Sequence, residues 1–315
     1  MPTLSRRAPV LAALLAAAFV RAWDIDLMAL WTDEGLSFYR AGLDVAGILS
    51  GMIPVGQHPT RDVQPPLYFL ALGGWLRLLG FTAWNAKWLS LLAGLPTIAL
   101  AWALARRWAG RRAAPWAAWL AALSPVYLWY AQEVRPYALA ITLAALGVYA
   151  LDRGLATAAR ERGSRGALGW LSLAAAANAA LLYSHYLGFF VAGFEVVMAA
   201  TVLAGPAAAA RWRLRAAAGS QHDAGLGSAP GDRAAPGARS SLSALAAVVA
   251  LVVLVATPLI PFALRRLGTG AEQNQHFYGL HVMLRDMVRG FSLGTALDFE
   301  RYALPAAALT LGFLL

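Results

Sequence analysis

Long apolar runs separated by short polar segments dominate the chain. The hydrocarbon core of a bilayer, about 30 Å thick, needs about 20 apolar residues of helix, so we predict membrane-spanning helices at these runs. They fall at residues 8–23, 86–105, 113–131, 136–151, 167–184, 186–204 and 243–264, and a further one begins near 302. The pattern therefore predicts an all-α, polytopic membrane helix bundle with about eight spans.

The two ends of the sequence indicate how the protein begins and whether it continues. The first apolar run follows Arg6 and Arg7, and Val20-Arg21-Ala22 leaves a cleaved signal peptide open as an alternative to a first span. The last residues, LPAAALTLGFLL, stop inside an apolar run, which indicates that the protein continues. We interpret residues 1–315 as one membrane-embedded domain.

The segment 65–80, PPLYFLALGGWLRLLG, is apolar but short, and Gly73, Gly74 and Arg77 interrupt it. Such a segment is more typical of an interfacial helix than of a span. The first loop between spans then runs from 24 to 85, much longer than a connector needs. Long ordered loops are commonly functional, and the aromatic residues of this one favour order.

Charge asymmetry assigns the two sides of the membrane. If 65–80 lies in the interface, the N-terminus and the loops 106–112, 152–166 and 205–242 share one side, with 15 of the 26 Lys and Arg but four of the 16 acids. The positive-inside rule makes that side cytoplasmic. The loop 205–242 is rich in Gly, Ala, Ser and Pro and is predicted to be disordered.

Composition agrees with a membrane protein and limits the chemistry. The sequence is 60% hydrophobic and 13% charged, whereas soluble domains carry about 25% charged residues. It contains no cysteine, which excludes disulfides, thiolate metal sites and cysteine nucleophiles within it. Its net charge of +10 is spread over short clusters between apolar runs, a pattern that reports orientation rather than nucleic-acid binding.

The polar residues that could take part in catalysis or binding lie on the opposite, outer side. They are Asp33-Glu34, Asp62, the stretch AQEVRPY (131–137), the stretch YSHY (183–186) and the loop 265–300. The cytoplasmic loops offer mainly arginine. This distribution predicts one outward-facing site at the membrane surface.

The candidate acids and the histidine also have structural explanations. Asp33 and Glu34 can favour a helix N-terminus, and because helix neighbours do not face the same way, at most one of them points into a shared site. Asp62 precedes a Pro pair and is otherwise an ordinary loop aspartate. His185, at the outer end of two predicted spans, is otherwise an interfacial residue.

The stretch 131–137 and the acid Glu195 leave similar alternatives. Arg135 and Tyr137 suit an anion site, because guanidinium offers a planar fork of donors to phosphate; an interfacial ion pair with Glu133 explains them as well. Glu195 lies in the middle of a predicted span, where an ionisable group is a functional hypothesis by default. We favour a protonated Glu195 bonded to a neighbouring helix.

Sequence signatures of common cofactor and metal sites are absent. Zinc-ligand spacing, a P-loop, a nucleophile elbow and a dinucleotide fingerprint do not occur in the sequence. A divalent metal held by Asp33, Glu34 and Asp62 stays possible, but carboxylates alone specify little. No cofactor is firmly implied.

Four stretches in order carry a family resemblance. LMALWTDEGLSFYRAG, DVQPPLYFLALGGWLRLLG, AKWLSLLAG and LSPVYLWYAQEVRPYALAITLAAL resemble the GT-C glycosyltransferases that use polyprenyl-phosphate sugars, such as protein O-mannosyltransferases and lipid A aminoarabinose transferases. The resemblance covers roughly residues 20–200. It implies a GT-C-like bundle, with an active site at the outer membrane face and transfer of a hexosyl or pentosyl group.

The resemblance also implies roles for individual residues. Asp33 matches the catalytic carboxylate, Glu34 would support it, and Asp62 matches the acid before the Pro pair. Arg135 and Tyr137 match the E-x-R-P-Y stretch of the family. Two positions depart from the family pattern: Gln64 stands where histidine is frequent, and Lys87 stands where arginine is frequent.

The chemistry fits these residues without the family. A polyprenyl phosphate is a good leaving group, so the remaining need is a base for the acceptor hydroxyl, and Asp33 can accept that proton. Arg135, together with Arg61 or His185, would stabilise the leaving phosphate. One base with cationic donors favours direct displacement and inversion at the anomeric carbon.

The sequence thus predicts a multi-pass protein of the cytoplasmic membrane, with its N-terminus cytoplasmic. Its expected partners are a polyprenyl-phosphate sugar, an acceptor glycan, lipid or protein, and membrane lipids, but no nucleic acid. A transporter or flippase of lipid-linked glycans is the alternative, and it would need charges or broken helices deep within several spans. A non-catalytic scaffold is a third reading, which would not need the outer acids to share one face.

Overall fold

The computed structural model describes residues 2–54, 59–62, 64–160 and 165–204, together with the isolated positions 257, 260 and 281. The predicted linker 205–242 and the region beyond it, with two further predicted spans, lie outside the described residues apart from those isolated positions. The elements are α1 Pro2–Ala22, α2 Thr32–Gly42, α3 Val45–Ser50, β1 Met52–Ile53, β2 Thr60–Arg61, α4 Leu67–Leu79, α5 Ala83–Gly94, α6 Pro96–Trp108, α7 Ala113–Leu123, α8 Pro125–Gln132, α9 Tyr137–Arg160, α10 Arg165–Ser184 and α11 Gly188–Ala204.

Within the described residues, three helical stretches are long and apolar enough to cross a membrane. They are Ala83–Trp108, which joins α5 and α6, Tyr137–Ala158 in α9, and Arg165–Ser184 in α10. Shorter apolar helices occur at Ala8–Ala22 and Gly188–Val202, among others. The predicted membrane helix bundle is therefore confirmed within the described residues.

The run predicted as a span over 113–131 is not one continuous helix, because the helix is interrupted at Ser124. Ser124 leaves the helical region with ψ 122°, and Pro125 cannot donate the hydrogen bond that would continue α7. Pro125 instead begins α8, where the Ser124 side chain accepts from the backbone N–H of Tyr127. The short α8 leads directly into the segment 133–136 that precedes α9.

The first loop folds into α2, α3, a two-residue antiparallel ladder and α4. In the ladder Met52 pairs with Arg61 and Ile53 with Thr60. Helix α4 has 13 residues and is about 20 Å long, which is short of the bilayer core and agrees with the interfacial prediction for 65–80. One of its faces packs into a core with α2 and α5, formed by Ala41, Ile48, Tyr68, Phe69, Leu72, Leu76, Ala86 and Val134.

Several basic residues are used inside the fold, at the carbonyl ends of helices. Arg21 is buried and donates to Ala122 O at 2.7 Å and Ala121 O at 3.1 Å, which ties α1 to the end of α7. Arg77 donates to Leu43 O at 2.7 Å, just beyond α2. Cations satisfy the carbonyls that helix ends leave unpaired, so part of the positive charge is structural.

Polar contacts gather at two opposite ends of the bundle. At one end Arg107 forms an ion pair with the buried Asp152, and Trp108 Nε1 donates to the same carboxylate at 3.0 Å. At the other end the aromatic ring of Tyr137 lies 5.4 Å from that of His185. The candidate site residues lie at this second end.

Candidate active site

Helix α2 presents Asp33 to Arg135 at its first turn. Asp33 Oδ2 lies 3.5 Å from Arg135 Nη2, and the carboxylate side chain is 44% exposed. Arg135 Nη1 also donates to the backbone carbonyl of Asp33 at 3.3 Å. The structure therefore brings together the predicted base and the predicted phosphate ligand.

Ser37, one turn further along α2, is a second hydrogen-bond partner of the Arg135 guanidinium on this helix. Its Oγ donates to Asp33 O at 2.9 Å and lies 3.3 Å from Arg135 Nη1, which donates to it. Ser37 is fully buried. Sequence reasoning missed Ser37, although its position four residues after Asp33 places it on the same helix face.

Glu34 faces the opposite way, into the protein. Its Oε1 accepts from the backbone N–H of Val134 at 2.7 Å and its Oε2 from that of Trp31 at 3.2 Å, and the side chain is buried. Glu34 thus joins the start of α2 to the segment that carries Arg135. The expectation that at most one of the two neighbouring acids faces the site agrees with this geometry.

Glu133 adds a second buried carboxyl behind the site. Burial raises the pKa of Glu133 above its ordinary value, and the nearby Glu34 raises it further. Hydrogen bonding by Trp129, the charge of Arg135 and hydrogen bonding by Trp31 lower it in part. Only 8% of Glu133 is exposed and its Oε2 has no hydrogen-bond partner, so an ionised Glu133 is costly here.

The environment of Arg135 keeps its guanidinium charged. Burial lowers its pKa, but Tyr137, Asp33 and Asp62 outweigh that effect, so the pKa of Arg135 lies above its ordinary value. The buried Nε has no hydrogen-bond partner. A buried cation flanked by acids on one side is suited to receive an anion in their place.

Aromatic rings line the side of the site next to Arg135. The Tyr137 ring lies 4.8 Å from that of Tyr130, 5.4 Å from that of His185, and 5.8 Å from the guanidinium carbon of Arg135. His185 Nδ1 accepts from the backbone N–H of Leu187 at 3.1 Å, so Nε2 carries the proton of the neutral ring.

Asp62 belongs to a neighbouring ion pair rather than to the contacts of Asp33. Its Oδ2 lies 3.0 Å from Arg40 Nη1, and its Oδ1 accepts from the Gln64 backbone N–H at 2.9 Å. Arg40 is fully buried, donates to Ile48 O at 2.7 Å and to Gln64 O at 3.0 Å, and stacks at 4.0 Å on Phe69. Sequence reasoning did not single out Arg40, which lies on the same face of α2 as Asp33.

Three other positions singled out from the sequence lie apart from Asp33. Arg61 is exposed on β2, and no hydrogen bond or ion pair among the described residues joins it to Arg135. Lys87 is buried and donates to Met28 O at 2.6 Å. Gln64 contacts Arg40 and Asp62 through its backbone.

The acids do not converge as metal ligands do. No group of three or more Asp, Glu and His side chains within the described residues is placed to hold a metal ion. Asp33, Glu34 and Asp62 face a guanidinium, backbone amides and a second guanidinium, respectively.

Comparisons with solved structures show which proteins this fold is similar to. The crystal structure of ArnT from Cupriavidus metallidurans in the apo state has a TM-score of 0.57 and 18% sequence identity, covering 92% of this chain. The chain spans about half, 49%, of ArnT. The archaeal oligosaccharyltransferase AglB from Archaeoglobus fulgidus, solved with an inhibitory peptide and a dolichol-phosphate, has a TM-score of 0.51 and 14% identity, over 97% of this chain and 36% of AglB.

A sequence family model matches about half of the chain. The model described as dolichyl-phosphate-mannose-protein mannosyltransferase matches residues 63–216, which include Arg135, Tyr137 and His185 but not Asp33 or Asp62. The curated proteins include no match to this sequence. The family match and the similar fold agree with the resemblance found in the sequence motifs: the chain is similar to the GT-C membrane glycosyltransferases.

Proposed function

We propose that the chain transfers a sugar from a polyprenyl-phosphate donor to an acceptor hydroxyl at the outer face of the cytoplasmic membrane, with inversion. The observation that carries the proposal is the half-exposed Asp33 carboxylate beside the buried, charged Arg135. A dolichol-phosphate is bound in AglB, and the matching family model is named for dolichyl-phosphate-mannose. Both names support a polyprenyl-phosphate donor for this chain.

In this mechanism Asp33 is the general base. The acceptor hydroxyl oxygen attacks the anomeric carbon, its proton passes to the Asp33 carboxylate, and the bond from the anomeric carbon to the phosphate oxygen breaks with its electron pair on the phosphate. Attack opposite the leaving group inverts the anomeric configuration. A positioned base of this kind typically contributes about 10²–10⁴-fold to the rate.

Arg135 receives the charge that develops on the leaving phosphate. Fixed cationic donors are most effective where charge grows in the transition state, and Arg135 is held against α2 by Ser37 and the Asp33 carbonyl. The ion pair of 3.5 Å between Arg135 and Asp33 opens when the phosphate takes the place of the carboxylate. Donor binding thereby frees the base, while Tyr137 and His185 line the phosphate position.

Glu34 and Asp62 have positioning roles in this proposal. Glu34 is occupied by two backbone amides and sets the distance between Asp33 and Arg135. Asp62 holds Arg40, and its charge raises the pKa of Arg135 against the effect of burial. Arg61 is a further donor to the phosphate only if the hairpin brings it closer.

The test is sugar transfer from a radiolabelled polyprenyl-phosphate sugar in membranes that carry the full-length protein. Asp33→Asn keeps the shape of the side chain but cannot accept the proton, so we expect turnover to fall by about 10²–10⁴-fold at equal expression and unchanged thermal stability. Asp26→Asn is the matched control, since Asp26 is an exposed acid in the same loop, and it should retain activity.

The outcomes separate the alternatives. Unchanged transfer by Asp33→Asn would remove Asp33 as the base, with Asp62 next to be examined. A product of retained configuration would contradict direct displacement. Transport of a lipid-linked glycan that persists in Asp33→Asn, with no sugar transfer by the wild type, would favour the flippase.

A further inference from the structure

The end of the bundle opposite the site carries a group of arginines that the proposed reaction does not use. This arginine cluster comprises Arg106, Arg107, Arg111, Arg112, Arg153 and Arg165. The first four flank the turn between α6 and α7, Arg153 follows Asp152 on α9, and Arg165 begins α10. Asp152 bonds to both Arg107 and Trp108, so the turn is fixed against α9 and the arginines share one end of the fold.

Among the described residues, most of this positive charge has no acid beside it. Asp152 is the single acid at this end among the described residues, and it is buried and occupied by Arg107 and Trp108. Arg111, Arg112 and Arg165 are exposed. The remaining guanidinium groups therefore present a concentrated positive surface.

Two of the arginines are held in place by tryptophan rings. The guanidinium carbon of Arg106 lies 5.2 Å from the ring centre of Trp102, and that of Arg153 lies 5.0 Å from the ring centre of Trp170. The buried Nε of Arg153 has no hydrogen-bond partner. Cation–π contacts orient these groups without neutralising their charge, so they stay available to an anion.

Exposed apolar side chains border the cluster. Trp116 is 71% exposed on α7, Leu168 is 67% exposed on α10, and Trp108 is partly exposed beside the turn. Apolar surface next to cations matches a lipid molecule, with acyl chains against the helices and its headgroup at the arginines. A soluble polyanion such as nucleic acid would meet this apolar rim unfavourably.

We propose that the arginine cluster binds the phosphate headgroup of an anionic phospholipid. Arg111 and Arg112 are the main exposed ligands, and Arg106 and Arg153, which are oriented by tryptophan rings, are further ligands. The site is independent of the sugar-transfer chemistry at the other end. It selects the headgroup by charge, so phosphatidylglycerol binds and phosphatidylcholine does not compete.

The test is native mass spectrometry of the purified full-length protein in mild detergent, incubated with equal amounts of phosphatidylglycerol and phosphatidylcholine. We expect the wild type to retain mainly phosphatidylglycerol. The double variant Arg111→Gln, Arg112→Gln should lose about tenfold or more of this preference, because each basic residue near an anionic lipid surface contributes roughly fivefold in affinity.

Two controls make the result specific. Arg111→Lys with Arg112→Lys keeps the charge and should keep most of the preference, whereas Asp26→Asn removes an exposed charge at the other end and should not alter it. Thermal unfolding without added lipid should match the wild type for every variant, which excludes misfolding. Equal retention of the two lipids by the wild type, or an undiminished preference in the double glutamine variant, would overturn the proposal.

Discussion

Two adjacent carboxylates at the start of α2 have opposite surroundings, because successive residues on a helix point about 100° apart. Asp33 reaches Arg135 at the surface, and Glu34 reaches the amides of Trp31 and Val134 in the interior. The exposed Asp33 carboxylate keeps lone pairs that can accept a proton, whereas both oxygens of Glu34 already accept hydrogen bonds from backbone amides. Asp33 is thus placed for the proposed chemistry, and Glu34 supports the local structure.

This division predicts different losses for the two residues. Glu34→Gln keeps one acceptor oxygen and places an N–H group against a backbone N–H, so we expect a loss of stability of about 1–3 kcal/mol. Turnover should fall with it, while the pH dependence of kcat/KM stays that of the wild type, because the proposed base Asp33 is unchanged. Thermal unfolding and a pH profile measure both effects. A variant of wild-type stability without turnover would instead indicate a catalytic role for Glu34.

Individual site residues can be predicted from the sequence only where residue type and position relative to the membrane point to them. Asp33, Arg135, Tyr137 and His185 were proposed from type and side of the membrane, and the structure brings them together. Arg40 was missed because its partner Asp62 is 22 positions away, at the end of a hairpin that local patterns do not encode. The catalytic role of each residue stays a prediction.

Among the helices, α4 and α2 approach each other closely at a glycine. A Cβ atom on Gly73 would lie 2.7 Å from Ala41 O of α2 and 2.6 Å from Arg77 Nη1, whereas one on the adjacent Gly74 would meet nothing within 4 Å. Because Ala41 O is a backbone atom near the end of α2, it cannot move without the helix. The interfacial helix therefore supports the helix that carries Asp33.

The two glycines form a matched pair of tests. Gly73→Ala should separate α4 from α2 and destabilise the fold by about 1–3 kcal/mol, with reduced transfer activity. Gly74→Ala should be neutral or stabilising by up to about 1 kcal/mol, since alanine favours the helix at both positions. Thermal unfolding of the two variants in the same detergent distinguishes them. Equal stability of both would show that α4 does not pack against α2 in this way.

Helices with strong apolar patterns were predictable, and their interruptions were not. The runs at 86–105, 136–151 and 167–184 correspond to helices long enough to cross a membrane. The break at Ser124 inside the run 113–131 was missed, although Ser-Pro is a local helix-start signal, because apolar content alone does not reveal a broken helix. Around the short elements α3, β1 and β2, Arg40 contacts Ile48 O and Asp62, and such contacts between distant positions are not encoded in local sequence patterns.

On the scale of the whole molecule, the described bundle has two chemically different ends. One end holds Asp33, Arg135 and His185, and the other holds the arginine cluster with its single, neutralised Asp152. Charge counting predicted this separation from the sequence, because loops alternate between sides once the spans are known. The fold is shared with ArnT and AglB, while the direction in which the two ends face stays a prediction of the charge asymmetry.

That orientation can be tested with single introduced cysteines, because residues 1–315 contain none, and the labelling of the wild-type protein gives the background. Asp26→Cys lies in the exposed segment before α2, and Ala109→Cys lies in the exposed turn of the arginine cluster. A membrane-impermeant maleimide added to intact cells should label Asp26→Cys and leave Ala109→Cys unlabelled until the membrane is permeabilised. Equal labelling of both variants after denaturation controls for expression. The reverse pattern would place Asp33 and Arg135 on the cytoplasmic side and contradict an outward-facing transfer site.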